Sequence, residues 1–395
     1  MTINESLLND IERTLFYRHH ATVGRDELEK ATDALVKCLV PEHNTGGLRG
    51  FEGLREAYVY LTGDEEIKGK VGFNPSKVSS GLRACADFNS STFSFALQNA
   101  LSMYLSKIYN SFPYHEEILI SEKKRVTDFR KVHSIQLAYP QDLPEVDPEA
   151  GDYSSLDDYV DTETQYDIGQ KGGITWVTRR HIINDSIGLI KAMIERRARS
   201  ARRTHARFVW SFFVNNLNCP DGTAWFTEAH GNLGTDALDF DPLAAAIDAL
   251  ANMTEPGSGE TIGLDLATFN WSLVVPIGRW KLAVRKNQGE NYYTSNDLTT
   301  KTENPNCRLF GDHNERIVTC PFLADANDWG VIRDKEDVPI VEMSYLNGHE
   351  EPEFIIADAP VAERNFRGDD YGYKVRHEFG GTIADFRGGH KSIVP

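Results

Sequence analysis

The chain has 395 residues, of which 40% are hydrophobic and 26% charged, and its formal net charge at pH 7 is -17. This composition excludes a disordered chain, and no apolar run approaches the roughly 20 residues of a membrane helix, so a soluble cytoplasmic protein is expected. Five cysteines without a CxxC pair argue against zinc and a disulfide framework, and the acidity disfavours nucleic-acid binding unless charge is segregated.

Helices are predicted in the first 88 residues at about 5 to 18, 26 to 39 and 54 to 61. A Gly-rich stretch, HNTGGLRGFEG, and a polar run, NPSKVSSG, break the pattern, so this region is expected to be separate from the rest. Another helix is predicted at 93 to 112.

An acidic segment follows. From Asp142 to Asp167 there are ten acidic residues and no Lys or Arg, and prolines, glycine and serines favour an extended, self-repelling loop. The flanks, KVHSIQLAY (131 to 139) and GGITWVTRR (172 to 180), are rich in β-branched and aromatic residues typical of strands. Together they predict a long hairpin with an acidic tip. Its candidate contact residues are Glu145, Asp147, Glu149, Asp152, Asp157, Asp158, Asp161 and Glu163.

A long helix is predicted next, from a cap at Asn184, Asp185 or Ser186 to the break at NNLNCPDG. About 30 residues make a rod of roughly 45 Å. At 100° per residue one arc is apolar: Ile187, Ile190, Ile194, Ala198, Ala201, His205, Phe208, Val209 and Phe212. The opposite side carries the candidate basic face: Arg196, Arg199, Arg202, Arg203 and Arg207. Arg197 is expected at the apolar edge, and His205 as a satisfied buried histidine.

The remainder mixes helix and strand. DPLAAAIDALANM (241 to 253) predicts a helix with Asp241 as cap and Pro242 at the first position. Short strands are predicted at WSLVVPI, RIVTCPFL, DWGVIR, PIVEMSYL, EFIIAD and YGYKVRHEFGGTIADF. This order favours an α+β class over a repeated βαβ pattern.

No motif carries recognisable chemistry. GSGETIG (257 to 263) has its third glycine one residue late for a dinucleotide site, and P-loop, HExxH and GxSxG motifs are absent from the sequence. Asp221, Glu228, His230 and Asn232 lie close together in CPDGTAWFTEAHGN, but without a nucleophile or metal partner they predict a structural turn. We therefore assign no catalytic, cofactor-binding or metal-ligating residue and expect no cofactor and no enzymatic activity.

Four stretches carry a family resemblance: WVTRRHIINDSIG, NNLNCPDGTAWFTEAHGNLGT, WSLVVP and YGYKVRHEFGGTIADFRGG. In this order they resemble the major capsid proteins of tailed bacteriophages, in particular the Mu-like major head subunit family with the Hong Kong 97-type capsid fold. The resemblance covers about 89 to 395.

The resemblance implies a domain plan. It places an N-terminal arm at 89–128, an extended E-loop hairpin at 129–180, a peripheral domain with the spine helix at 181–249, an axial domain at 250–360, and C-terminal strands returning to the peripheral domain at 361–395. Residues 1–88 would be a helical extension, scaffold-like or additional.

It also implies a function. Copies would assemble as hexamers and pentamers into a noncovalent icosahedral shell around phage double-stranded DNA, held by containment, with portal, scaffold or decoration proteins as further partners and no membrane. The shell would form in the host bacterial cytoplasm and become the virion capsid. Acidic loops of one copy would lie on the basic helix face of another.

Three alternatives stay open on sequence alone. An encapsulin-like compartment would use the same fold to enclose protein cargo. A soluble enzyme would act through the 219 to 232 turn, and a nucleic-acid-binding protein would use the arginine face.

Overall fold

The chain divides into two compact units. The first comprises the described parts of 1–112, 170–202 and 349–377, and the second those of 113–169, 203–348 and 378–395. The computed structural model describes residues 23–43, 47–62, 90–137, 160–178, 184, 187–254, 259, 261–262, 271–293, 301–304, 307–336, 338–356 and 370–395.

Six α-helices lie in these ranges: α1 Val23–Leu39, α2 Leu54–Thr62, α3 Ser90–Asn110, α4 Ile187–Val214, α5 Phe240–Ala251 and α6 Trp280–Gln288. The described strands are β1 Ile120–Val126, β2 Val132–Leu137, β3 Val160–Tyr166, β4 Gly169–Thr178, β5 Leu233–Gly234, β6 Ser272–Pro276, β7 Asn291–Tyr293, β8 Lys301–Glu303, β9 Ile317–Cys320, β10 Trp329–Ile332, β11 Val341–Leu346, β12 Glu353–Ile356, β13 Asp370–Ile383 and β14 Gly389–Ser392. The predicted α+β class is confirmed. Among the described helices, none has the length and apolar character needed to cross a membrane.

The first unit has a helical core. α1, α2 and α3 bury their apolar faces against one another and against the first half of α4, with Leu35, Leu54 and Leu101 fully buried. β12 and the first half of β13 close this core through Phe354 and Tyr373. α1 and α2, expected to be separate, therefore share one core with α3 and α4. The predicted helix at about 5 to 18 lies outside the described residues.

The second unit contains a five-stranded sheet in the order β5–β14–β10–β6–β9. Its inner strands β14, β10 and β6 are buried along their whole length, as expected of strands covered on both faces. α5 and α6 pack on this sheet through Leu243, Ile247 and Ala283. Asp239, and not the predicted Asp241, caps α5, because its side chain accepts from the amide of Phe240.

A further set of strands in the second unit begins with β1, which pairs in parallel with β11. β11 pairs antiparallel with residues 379–383 of β13, while residues 373–376 of β13 pair with β12 within the first unit. The predicted strands at WSLVVPI, RIVTCPFL, DWGVIR, PIVEMSYL, EFIIAD and YGYKVRHEFGGTIADF are confirmed as β6 and β9–β13.

The last turn of α4 is fixed from β14. Lys391, which is 3% exposed, donates its Nζ to the carbonyl oxygens of Phe213 and Val214 at 3.3 and 3.1 Å. These carbonyls have no partner within the helix, and an ammonium group there also compensates the negative end of the helix dipole. Earlier in the helix, His205 is buried between Glu116 and the Tyr345 hydroxyl, at 3.1 and 2.9 Å, as predicted.

His390 should make the second unit less stable in mild acid. It is 7% exposed, its Nδ1 has no hydrogen-bond partner among the described residues, and burial lowers its pKa from 6.5 to about 4. Burial disfavours the protonated imidazole in the folded state, so the free energy of unfolding is highest above pH 6.5. It should decrease by about 2 to 4 kcal/mol as the pH falls towards 4.

Urea unfolding of wild type and His390→Gln between pH 4.5 and 7.5 gives the slope of the free energy of unfolding against pH. The variant should lose part of the wild-type pH slope, and equal slopes would contradict the assignment.

Candidate functional site

Four arginines form an exposed row on α4, which we call the arginine stripe: Arg196, Arg199, Arg203 and Arg207. Their spacings of three and four residues place them on one side of the helix, over roughly 16 Å. Ile190, Ile194, Ala198, His205 and Val209 on the opposite side are buried, as the apolar arc predicted. The outward direction of the stripe is thus set by the packing of the other face.

Arg202 does not belong to the exposed face, contrary to the prediction. It is 9% exposed, its Nε donates to the carbonyl oxygen of Phe112 at 3.2 Å, and its guanidinium lies 5.3 Å from the centre of the Tyr109 ring. The end of α3 and the residues after it cover this position. Arg197 also contacts its own chain, because its Nε donates to the Thr175 hydroxyl at 2.7 Å.

Two of the four stripe arginines contact aromatic rings. The guanidinium of Arg199 lies 4.7 Å from the centre of the Phe112 ring, and that of Arg207 lies 5.4 Å from the centre of Phe322. Such contacts limit side-chain motion without neutralising the charge. None of the carboxylates in the described part of the chain forms an ion pair with the four arginines. The stripe therefore offers positive charge to an anionic partner.

The structure describes only the end of the acidic segment. Glu145, Asp147, Glu149, Asp152, Asp157 and Asp158 lie outside the described residues. Asp161 lies in β3, and Glu163 is exposed and bonded to the His133 ring.

The hairpin is formed by different strands than predicted. β2 pairs antiparallel with β3, with Ile135 opposite Glu163, whereas β4, which contains most of the predicted second strand, pairs with β13. VDTETQY alternates β-branched or aromatic residues with polar ones, and this period of two is typical of a strand with one covered face. The acidic character of the segment hid that alternation.

A buried carboxylate fastens the hairpin. Glu342 of β11 is 2% exposed and accepts from the Tyr166 hydroxyl at 2.6 Å, the Ser134 hydroxyl at 2.6 Å and Lys124 Nζ at 2.7 Å. Burial and the bond to this carboxylate raise the pKa of Tyr166. Both hairpin strands are thereby tied to β1 and β11. Sequence reasoning missed this cluster, although an acid within the apolar stretch PIVEMSYL was a signal.

The turn at 219 to 232 is organised around its own backbone. His230 stacks on Phe386 with centroids 3.9 Å apart, its Nδ1 donates to the Trp225 carbonyl at 3.0 Å, and its Nε2 lies 2.7 Å from Asp221. Burial alone would raise the pKa of Asp221, but hydrogen bonds from Thr223 and His230 hold it below its usual value.

Asn232 completes the turn. It is fully buried, and it donates to the carbonyls of Trp225 and Gly389 at 2.9 and 3.2 Å while accepting from the amide of Thr227 at 3.0 Å. Glu228 is exposed, and its backbone carbonyl accepts from the amide of Gly231 at 3.1 Å. These contacts hold the turn's own backbone in place.

Comparison with known proteins identifies one family. The family model described as phage capsid protein matches residues 161–392. This range contains β4, α4, the 219 to 232 turn and all of the described strands that follow. No curated protein matches the chain.

Several solved structures are similar. A virus-like particle from Pyrococcus furiosus shares 12% identity over 74% of this chain and 97% of its own, with a TM-score of 0.40. The capsid of a native GTA particle shares 11% over 72% and 92%, with a TM-score of 0.44. The procapsid of bacteriophage JBD30 shares 12% over 76% of each chain, with a TM-score of 0.37. Because these TM-scores are below 0.5, the functional inference depends on the family match.

Removing the Tyr166 hydroxyl should loosen the hairpin. In Tyr166→Phe the carboxylate of Glu342 loses one of its three donors, which should cost about 1 to 2 kcal/mol. Amide hydrogen exchange in residues 132–137 should then become roughly five- to thirtyfold faster.

Tyr114→Phe is the matched control, since it removes a hydroxyl in the same unit that has no hydrogen-bond partner in the described part of the chain. Equal exchange rates in the two variants would show that Glu342 does not hold the hairpin.

Proposed function

The chain belongs to the phage capsid protein family, and from that membership we propose that it is the major head subunit of a tailed phage, self-assembling into an icosahedral shell around double-stranded DNA. The observation that carries this proposal is the family match over residues 161–392. As a capsid family member the protein is structural. Assembly in the host cytoplasm and incorporation into the virion are part of the proposal.

We place the parts according to the Hong Kong 97-type plan, with the arm at 89–128, the E-loop at 129–180, the peripheral domain at 181–249, the axial domain at 250–360 and the returning strands at 361–395. The element order is compatible with this plan. α3 precedes the β2–β3 hairpin, α4 supplies the spine helix, and β13 and β14 end the chain.

The N-terminal extension is proposed to remain in the mature subunit. Leu35, Leu54 and Leu61 are fully buried in the core that α1 and α2 share with α3. Cleavage after residue 88 would expose the apolar surface of α3 that these helices cover. A scaffold-like segment that leaves the shell would be expected to pack less tightly.

Hexamers and pentamers are proposed to close through a charge contact between copies. The acidic segment of one subunit, with ten acids and no base from Asp142 to Asp167, would lie on the arginine stripe of its neighbour. An exposed ion pair contributes only about 0 to 1 kcal/mol, but a closed shell repeats each contact many times. Portal, scaffold or decoration proteins and passively contained DNA complete the proposed partners.

An encapsulin-like compartment is the alternative, and the match to a phage capsid family disfavours it. Electron microscopy of particles from an infected or expressing host, with analysis of their content, separates the two. Double-stranded DNA supports the phage head, and protein cargo without DNA supports the compartment. Absence of any closed particle would overturn both.

Charge reversal tests the contact between copies. Arg199→Glu with Arg203→Glu should raise the protein concentration needed for assembly by roughly tenfold, because repulsion replaces attraction at every repeated contact. Asp157→Lys with Asp158→Lys should do the same. The four changes together should assemble better than either pair, as judged by light scattering and electron microscopy.

The quadruple variant is its own control for misfolding, since it contains all the changes of both pairs. If it assembles no better than the worse pair, the two segments do not meet.

A further inference from the structure

Two large apolar side chains lie exposed together at the start of α6. Ile277 is 65% exposed and Trp280 is 42% exposed. Ile277 begins a 3-10 turn, Ile277–Arg279, and Trp280 is the first residue of α6. Side chains three residues apart in such a turn lie one above the other. Single exposed apolar residues are common in soluble proteins, but an adjacent pair that includes tryptophan is typical of a contact surface.

The backbone beneath this pair is anchored to neighbouring elements by hydrogen bonds. The turn follows directly from β6, which is buried throughout. Arg279 Nε donates to the carbonyl oxygen of Ala326 at 3.2 Å, and its Nη2 donates to Asn327. On the inner side of α6, Asn287 is fully buried and donates to the carbonyl of Gly311 at 3.0 Å. Binding at a surface held in this way loses little conformational entropy.

Positive charge continues the same side of the helix. Lys281 and Arg285 follow Ile277 at intervals of four residues, and both are exposed. Neither forms an ion pair with a carboxylate of the described residues. The surface therefore has an apolar end at Ile277 and Trp280 and a cationic end at Lys281 and Arg285. We call these four residues the α6 surface.

We propose that the α6 surface binds a second copy of this chain and forms an apolar contact that holds neighbouring subunits together. The charge of the chain identifies the occupant, because at a net charge of -17 the surface of another copy is acidic on average and complements Lys281 and Arg285. The inference rests on the proposed shell function and adds a contact that uses neither the arginine stripe nor the acidic segment.

The energetics assign different roles to the two ends. Burial of tryptophan and isoleucine removes apolar area from water and is insensitive to moderate salt. The attraction exerted by the lysine and arginine extends beyond contact, to about one Debye length, which is about 8 Å in physiological salt. The apolar end should thus govern how firmly subunits are held, and the cationic end how fast they meet.

The test uses the full-length chain, with assembly followed by light scattering and electron microscopy over a range of protein concentrations. Trp280→Ala should raise the concentration for half-assembly at least tenfold, and Ile277→Ala should raise it by a smaller factor. Leu217→Ala is the matched control, because Leu217 is an isolated exposed residue, 39% exposed, in the same unit. It should assemble like wild type. Far-UV circular dichroism and melting temperature should be unchanged in all three.

A charge variant provides an independent measurement. Lys281→Glu with Arg285→Glu should slow assembly at low ionic strength, and the difference from wild type should shrink at high salt. Assembly of Trp280→Ala at the same concentration as Leu217→Ala would overturn the inference while leaving the shell function intact. Failure of the unmodified chain to assemble would instead overturn the shell function, and this inference with it.

Discussion

Burial of one face of α4 determines what the rest of the helix can do. Ile190, Ile194 and Ala198 are buried in the core of the first unit, and Val209 and Phe213 in that of the second. With 3.6 residues per turn, these buried positions fix the direction in which every other side chain of the helix points. The arginine stripe points outward because the apolar positions leave it no other direction. The ring contacts of Arg199 and Arg207 do not neutralise this charge, so it remains available to a partner.

The hairpin follows the same logic with a period of two. Ser134 and Tyr166 must face Glu342 to donate to its buried carboxylate. Ile135 and Glu163, which lie opposite each other in the hairpin and an odd number of residues from these donors, therefore face the other way. A shift of one residue would bury Glu163 and leave Glu342 without two donors. A single acid in a covered strand therefore sets which face of the hairpin can meet another molecule.

Local periodicity predicted most of the helices and strands, whereas contacts between distant parts of the chain could not be predicted from it. The helical repeat placed α4 correctly, and β-branched runs located β6 and β9–β13, because both signals lie within a few neighbouring residues. The prediction that Arg202 is exposed was wrong because a helical wheel contains no information about Tyr109 and Phe112, which lie far from it in sequence and cover it. The bond from Tyr166 to Glu342 joins residues 176 positions apart, and no local pattern announces it.

An acidic subunit that gathers in many copies must overcome its own repulsion. If the net charge of -17 were spread evenly, every contact between copies would bring like charges together. In the proposed contact, the acidic segment of one copy and the arginine stripe of another would bring opposite charges within a Debye length, while the remaining negative charge would act from farther away and be screened. On this proposal, segregation of charge, and not a reduced net charge, is what allows a strongly acidic chain to attract its own copies. The apolar end of the proposed α6 surface would meet the same requirement, since burial of Ile277 and Trp280 adds attraction that no change in ionic strength reverses.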